Sequence, residues 1–120
     1  MNRNSYKKLN VYQDAKTLVV DIYKLINHYP AEERYALCNQ MRRAAISITS
    51  NIAEGVSRFS TKEKVHFIEY AFASMMEVDS QLEISMELGY ITQEQYIRLE
   101  EQMDGIGKQL SSLRAKYSER

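Results

Sequence analysis

The chain has 120 residues, 44% of them apolar, and its 16 basic and 16 acidic side chains cancel to no net charge. That length allows one domain with a packed core and is short for two, while neutrality excludes the strongly basic balance common in nucleic-acid-binding domains. A lone cysteine, Cys38, cannot close an internal disulfide, the polar start MNRNSYKKLNVYQDAK lacks a signal-peptide core, and no stretch approaches the roughly 20 apolar residues of a membrane span, so a cytoplasmic chain without a membrane partner is expected.

The apolar series Val11, Ala15, Leu18, Ile22, Leu25 and Tyr29 recurs by fours and threes and predicts a first helix over about 10–28. Pro30 suits the first turn of a second helix, over about 31–54, with Glu32 and Glu33 at its positive end. Leu37, Met41, Ala44, Ala45, Ile48 and Ile52 share its inner face, and Gly55 stands where a left-handed terminator is expected. Ser60-Thr61-Lys62-Glu63 matches a capping box and opens a third helix over about 61–88, with Val65, Ile68, Phe72, Met75, Leu82 and Met86 inward and Gly89 at its end. Thr92-Gln93-Glu94-Gln95 is a second capping box. The fourth helix, over about 93–116, carries Tyr96, Leu99, Met103, Ile106, Leu110, Leu113 and Tyr117 at three-four spacing. Short connections favour antiparallel neighbours, so residues 1–120 read as one all-α, up-down-up-down four-helix bundle.

Charge is divided along the chain: residues 1–60 carry +4, residues 61–104 carry −7 and residues 105–120 carry +3. Complementary patches of this kind suit self-association as well as contact with a polyanion.

Motifs for catalysis are lacking. Gly105-Ile106-Gly107-Lys108-Gln109 resembles part of a phosphate loop, but Gln102 and Gln109 occupy the positions that need Gly and Ser or Thr, and no strand precedes it. Glu63 and His66 form one Glu-x-x-His pair, where a di-metal bundle requires two with further glutamates. Cys38 has no CxxC partner and reads as a small buried residue. The acidic run Glu77, Asp79, Glu83 and Glu87 reads mainly as a solvated face. No catalytic residue, metal ligand or cofactor is expected.

Gln40, Arg43, Ser47, Asn51 and Glu54 fall on one narrow stripe of the second helix, flanked by small and apolar residues. A stripe so flanked is expected to form a partly buried hydrogen-bonding seam. In a tight antiparallel hairpin, residue numbers adding to about 117 share a level. Arg43 or Gln40 then lies near Glu77, and Asn51 near His66, and an Arg43–Glu77 ion pair is expected, since a buried arginine needs a carboxylate. Arg42 points about 100° away and is free to work outside the subunit.

The segments PAEERYALCNQMRRAAISITSNIAEG (30–55) and FIEYAFASMMEVDSQLEISMELGYI (67–91) resemble the proteins encoded in intervening sequences of bacterial 23S rRNA genes. The resemblance runs from about Leu9 to Leu113 and is strongest from Gln40 to Gly55, with Ser74 and Glu77 matching in the third helix. It implies a four-helix bundle assembling as a ring-like homopentamer. It also implies kinship with the accessory protein of diversity-generating retroelements, a strongly basic relative that binds reverse transcriptase and RNA.

The expectation is a non-enzymatic homo-oligomer, an RNA- or ribonucleoprotein-associated scaffold. Lys7, Lys8, Arg42 and Arg58 are candidate RNA or subunit contacts, and so are Lys62, Lys108, Arg114 and Lys116. The alternative is an adaptor that grips a reverse transcriptase or polymerase without touching RNA.

Overall fold

Helix ends in this chain are set by groups that satisfy free backbone donors and acceptors. In a computed structural model describing residues 5–119, a 3-10 turn at Ser5–Lys8 precedes α1 (Asn10–Ile26), and a second at Ala31–Glu33 precedes α2 (Leu37–Ser57). Then follow α3 (Thr61–Glu87) and α4 (Gln93–Ser118), with no strand among the described residues.

Thr92 and Gln95 form the full reciprocal capping box of α4. At α3 only half of the expected box forms: Ser60 Oγ accepts from Glu63 N, while the Glu63 carboxylate turns to Arg58. Gly89, at φ +80°, ends α3, with Tyr90 N bonded to Ser85 O and Gly89 N to Met86 O in a Schellman arrangement.

Two features of α2 depart from expectation. Pro30 and the two glutamates open the short 3-10 turn, and the α-helix begins only at Leu37 after the non-helical Ala36. Gly55 does not terminate the helix, which continues to Ser57. Instead, a Cβ at Gly55 would sit 3.0 Å from Phe67 Cβ and 3.3 Å from the Lys64 carbonyl, so the glycine lets α3 approach α2 closely.

Neighbouring helices touch with opposed numbering. Gln109 of α4 donates to Asp14 of α1 and Gln102 to Asp21, Ser47 of α2 meets Ser74 of α3, and Arg114 of α4 bonds Glu69 of α3. The starts of α1 and α3 therefore share one end of a body measuring 47 × 23 × 21 Å with the last turns of α2 and α4. The core runs its length through Leu18, Ile22, Met41, Ile48, Ile52, Ile68, Met75, Leu82, Ile106 and Leu110. Phe72, expected inside, is 43% exposed and lines a groove between α3 and α4 with Met76 and Gly107. Ala71 and Val78, whose small side chains gave weaker signals, occupy the inner face of α3 instead.

Candidate functional site

The α2 stripe is a seam only at its middle. Ser47 Oγ lies 2.8 Å from Ser74 Oγ, and Asn51 Nδ2 donates to Ser47 O (2.8 Å) and Oγ (3.0 Å), all half-buried between α2 and α3. Gln40, Arg43 and Glu54 are exposed, and so is Glu77 on α3. The expected Arg43–Glu77 ion pair is not formed among the described residues; Glu77 accepts from Gln81 Nε2 at 3.5 Å instead. Ser47 faces Ser74 where the tight-hairpin register would bring residue 70, a slide of about one helical turn. Arg43 and Glu77 fall at about the same level in that register, and both are exposed. Ile46, Tyr70, Ile84 and Leu88, each 44–53% exposed, lie on or beside the α2–α3 face. Buried Gln81 keeps a side-chain oxygen with no protein partner.

Cations gather at one end. Lys7 and Lys8 come from the first 3-10 turn, Arg58 from the α2–α3 connector, Lys62 and Lys64 from α3, and Lys108, Arg114 and Lys116 from α4. Among described residues this half holds nine Lys/Arg against five Asp/Glu, and the opposite half five against eleven, giving +4 and −6. The three charge blocks of the sequence thus fold into a molecule with a positive and a negative end.

Several of these cations are occupied. Arg58 bonds Glu54 at 2.8 Å, reaches Glu63 at 3.5 Å and stacks 4.5 Å over Phe67. Arg114 bonds Glu69 at 2.7 Å. Lys64 donates to Val56 O, a free carbonyl of the last turn of α2, and lies over Tyr117; burial lowers its pKa. Lys7, Lys8, Lys62, Lys108 and Lys116 are exposed and make no ion pair among the described residues. Arg42 departs from expectation: half-buried at the other end, it donates to Arg34 O at 2.9 Å and pins the turn before α2. The chain folds back over the first turns of α2 there, so Arg42 meets its own backbone.

Aromatic rings interleave with the cations at this end: Lys7 with Tyr6, Lys16 with Tyr12, Arg58 with Phe67 and Lys64 with Tyr117. The Arg58–Phe67 and Lys64–Tyr117 pairings join separate elements, and periodicity does not reveal them. Phe59 was equally hidden in the connector; it is 93% exposed.

At the acidic end, Tyr96 donates to Asp79 at 2.7 Å with Glu83 and Glu100 each 3.4 Å away, and Tyr90 donates to Glu33 at 2.7 Å. No group of three or more His, Cys, Asp or Glu able to hold a metal lies together among the described residues. Cys38 is buried, and burial pushes its thiol pKa up. Burial and the surrounding carboxylates raise Tyr96 above its ordinary range, the Glu33 hydrogen bond raises Tyr90 to about 12, and burial raises Tyr29 and Tyr117. A phenol whose folded pKa exceeds its unfolded value stabilises fully below the unfolded value and loses that contribution as pH rises through the folded one. Four such tyrosines outweigh the opposite effect of Lys64. The melting temperature should therefore fall steeply above about pH 10, the ordinary tyrosine value, and Tyr96→Phe should flatten the fall. A melting temperature that stays level there, or an unaltered slope in Tyr96→Phe, counts against these contacts.

A family model for the 23S rRNA-intervening sequence protein matches residues 7–112. The chain belongs to that family. A solved structure of a protein of unknown function, from the S23 ribosomal protein family of Bacteroides thetaiotaomicron, is 25% identical with a TM-score of 0.80, covering 96% of this chain and 99% of that one. No curated protein matches. The match to the 23S rRNA-intervening sequence family covers α1 through most of α4, so the α2–α3 face and the cationic end apart from Arg114 and Lys116 lie within the matched residues. No helix among the described residues is long and apolar enough to cross a membrane.

Proposed function

We propose that this chain is a non-enzymatic, up-down-up-down antiparallel four-helix bundle that assembles with copies of itself and meets RNA through its cationic end. The observation that carries the reading is the convergence of Lys7, Lys8, Lys62 and Lys116, from three separate elements, at one end with no carboxylate partner among the described residues, Lys108 standing nearer the middle of α4. A neutral chain that segregates its charge can present a positive surface, and a ring of copies multiplies a modest patch into a rim. Assembly uses the α2–α3 face, with Arg43 of one copy against Glu77 of the next. A homopentamer is the number the resemblance implies. The positive potential and interleaved aromatics suit a polyanion with exposed bases.

Phosphate contacts release counterions, so affinity must fall with salt. Titrating a labelled structured RNA at several salt concentrations should give a steep negative slope, shallower in a Lys7→Ala/Lys8→Ala/Lys62→Ala variant. An affinity indifferent to salt, or a triple variant that binds as the parent does, removes the phosphate-contact reading.

The negative end supports a second reading, a protein adaptor. Ile84, Leu88 and Ile97 are 43–53% exposed beside Glu83, Glu87, Glu94 and Glu101, a surface suited to a basic, partly apolar partner such as a reverse transcriptase or polymerase. Binding of such an enzyme that persists after nuclease treatment would favour it.

A further inference from the structure

Phe59 projects from the three-residue connector Arg58–Ser60 at the cationic end, 93% exposed, and makes no aromatic pair or cation contact among the described residues. The neighbouring rings are engaged: Phe67 carries Arg58 on its face and Tyr70 at its edge, and Tyr117 carries Lys64. Beside Phe59 is an open concavity of about 580 Å³ bounded by Glu54, Ser57, Arg58, Ser60 and Glu63. Arg58 holds one oxygen of each glutamate, yet the two side chains remain 53% and 56% exposed, and a carboxylate accepts more than one hydrogen bond.

This notch does not suit phosphate, because two carboxylates line it and its one cation is already paired. It suits a flat, neutral group that can stack on an aromatic face and donate hydrogen bonds to carboxylate oxygens. A nucleobase with an exocyclic amino group has both properties. Carboxylates accept from the cytosine amino group, whereas uracil presents a carbonyl oxygen at that position. Bases can reach such a platform only when splayed out of a helix.

Resting on the RNA reading above, we propose that Phe59, Glu54 and Glu63 form a base-binding notch that takes an unpaired, amino-bearing base of a single-stranded RNA. The phosphates of that strand run over Lys62 and over Lys7 and Lys8 at the same end, so the lysines hold the backbone while the notch reads the base.

The test uses the full chain with fluorescein-labelled oligo(rC) and oligo(rU) at low salt, read by anisotropy. The chain contains no tryptophan, so Phe59→Trp places a single reporter in the notch. Oligo(rC) should bind more tightly than oligo(rU) and quench that tryptophan. Phe59→Ala should weaken oligo(rC) binding at least about fivefold, the lower end of what one base–aromatic stack contributes, and leave the melting temperature unchanged. Lys7→Ala/Lys8→Ala should weaken both oligomers. If the lysine variant weakens binding while Phe59→Ala does not, the notch is wrong and the RNA reading stands. Equal affinity for the two oligomers removes the carboxylates' role. Loss of assembly in Phe59→Ala with oligo(rC) affinity intact assigns Phe59 to a protein contact and overturns the notch. Absence of binding by the parent chain to either oligomer overturns the notch and the RNA reading together.

Discussion

Gly55→Ala should lower the melting temperature, and the same substitution at Gly105 should raise it. Both residues are inside helices and neither has positive φ, so alanine favours the helical backbone by up to about 1 kcal/mol at either site. The difference is the space each Cβ enters. At Gly105 nothing lies within 4 Å. At Gly55 the new carbon would meet Phe67 Cβ at 3.0 Å and the Lys64 carbonyl at 3.3 Å. Neither is the free end of a flexible side chain, so α3 must back away from α2 along their shared core of Ile48, Ile52 and Ile68. Overpacking of this kind costs about 1–3 kcal/mol and exceeds the propensity gain. Parallel thermal melts followed by circular dichroism decide the matter. Shifts of the same sign at both positions would remove the close approach at Gly55 as the device that sets helix spacing.

The second large effect concerns assembly. Glu77→Arg should convert a multimer to single chains of 14.0 kDa, Arg43→Glu should do the same, and the double variant should restore the multimer. In the single chain both residues are exposed and share no ion pair among the described residues, so each substitution should alter chain stability by no more than about 0.5 kcal/mol. Across an interface, like charges brought together cost several kcal/mol. Light scattering on the three variants distinguishes the two situations. A multimer that survives either single change, or a double variant that stays dissociated, would place the contact elsewhere.

Local signals made the helices legible. Ser60, Thr92 and Gly89 act through bonds spanning a few residues, and the three-four spacing of Leu18, Ile48 or Leu110 reports the inner face directly. At Gly55 an end-of-helix glycine and a close-contact glycine look alike in sequence; only the position of Phe67 separates them. Arg43 and Glu77 share nearly the expected level, but the flanking pattern of α2 does not show how far around the helix the contact with α3 extends, and that decides whether they are buried or outward. The partner of Arg42 is the backbone of Arg34, which carries no sequence signal. The cationic end was legible residue by residue as lysines and arginines, but its location depends on how four helices are laid side by side, and so do the rings that interleave with it.

The central claim is that copies of this chain assemble and that the assembly carries RNA. It is tested most directly by purifying the protein at low salt without nuclease and measuring mass by light scattering, with absorbance at the nucleic-acid and protein maxima recorded through the same peak. One discrete multimer with co-eluting nucleic acid that high salt strips away is the expected result. A peak at the mass of a single chain, free of nucleic acid, would contradict it.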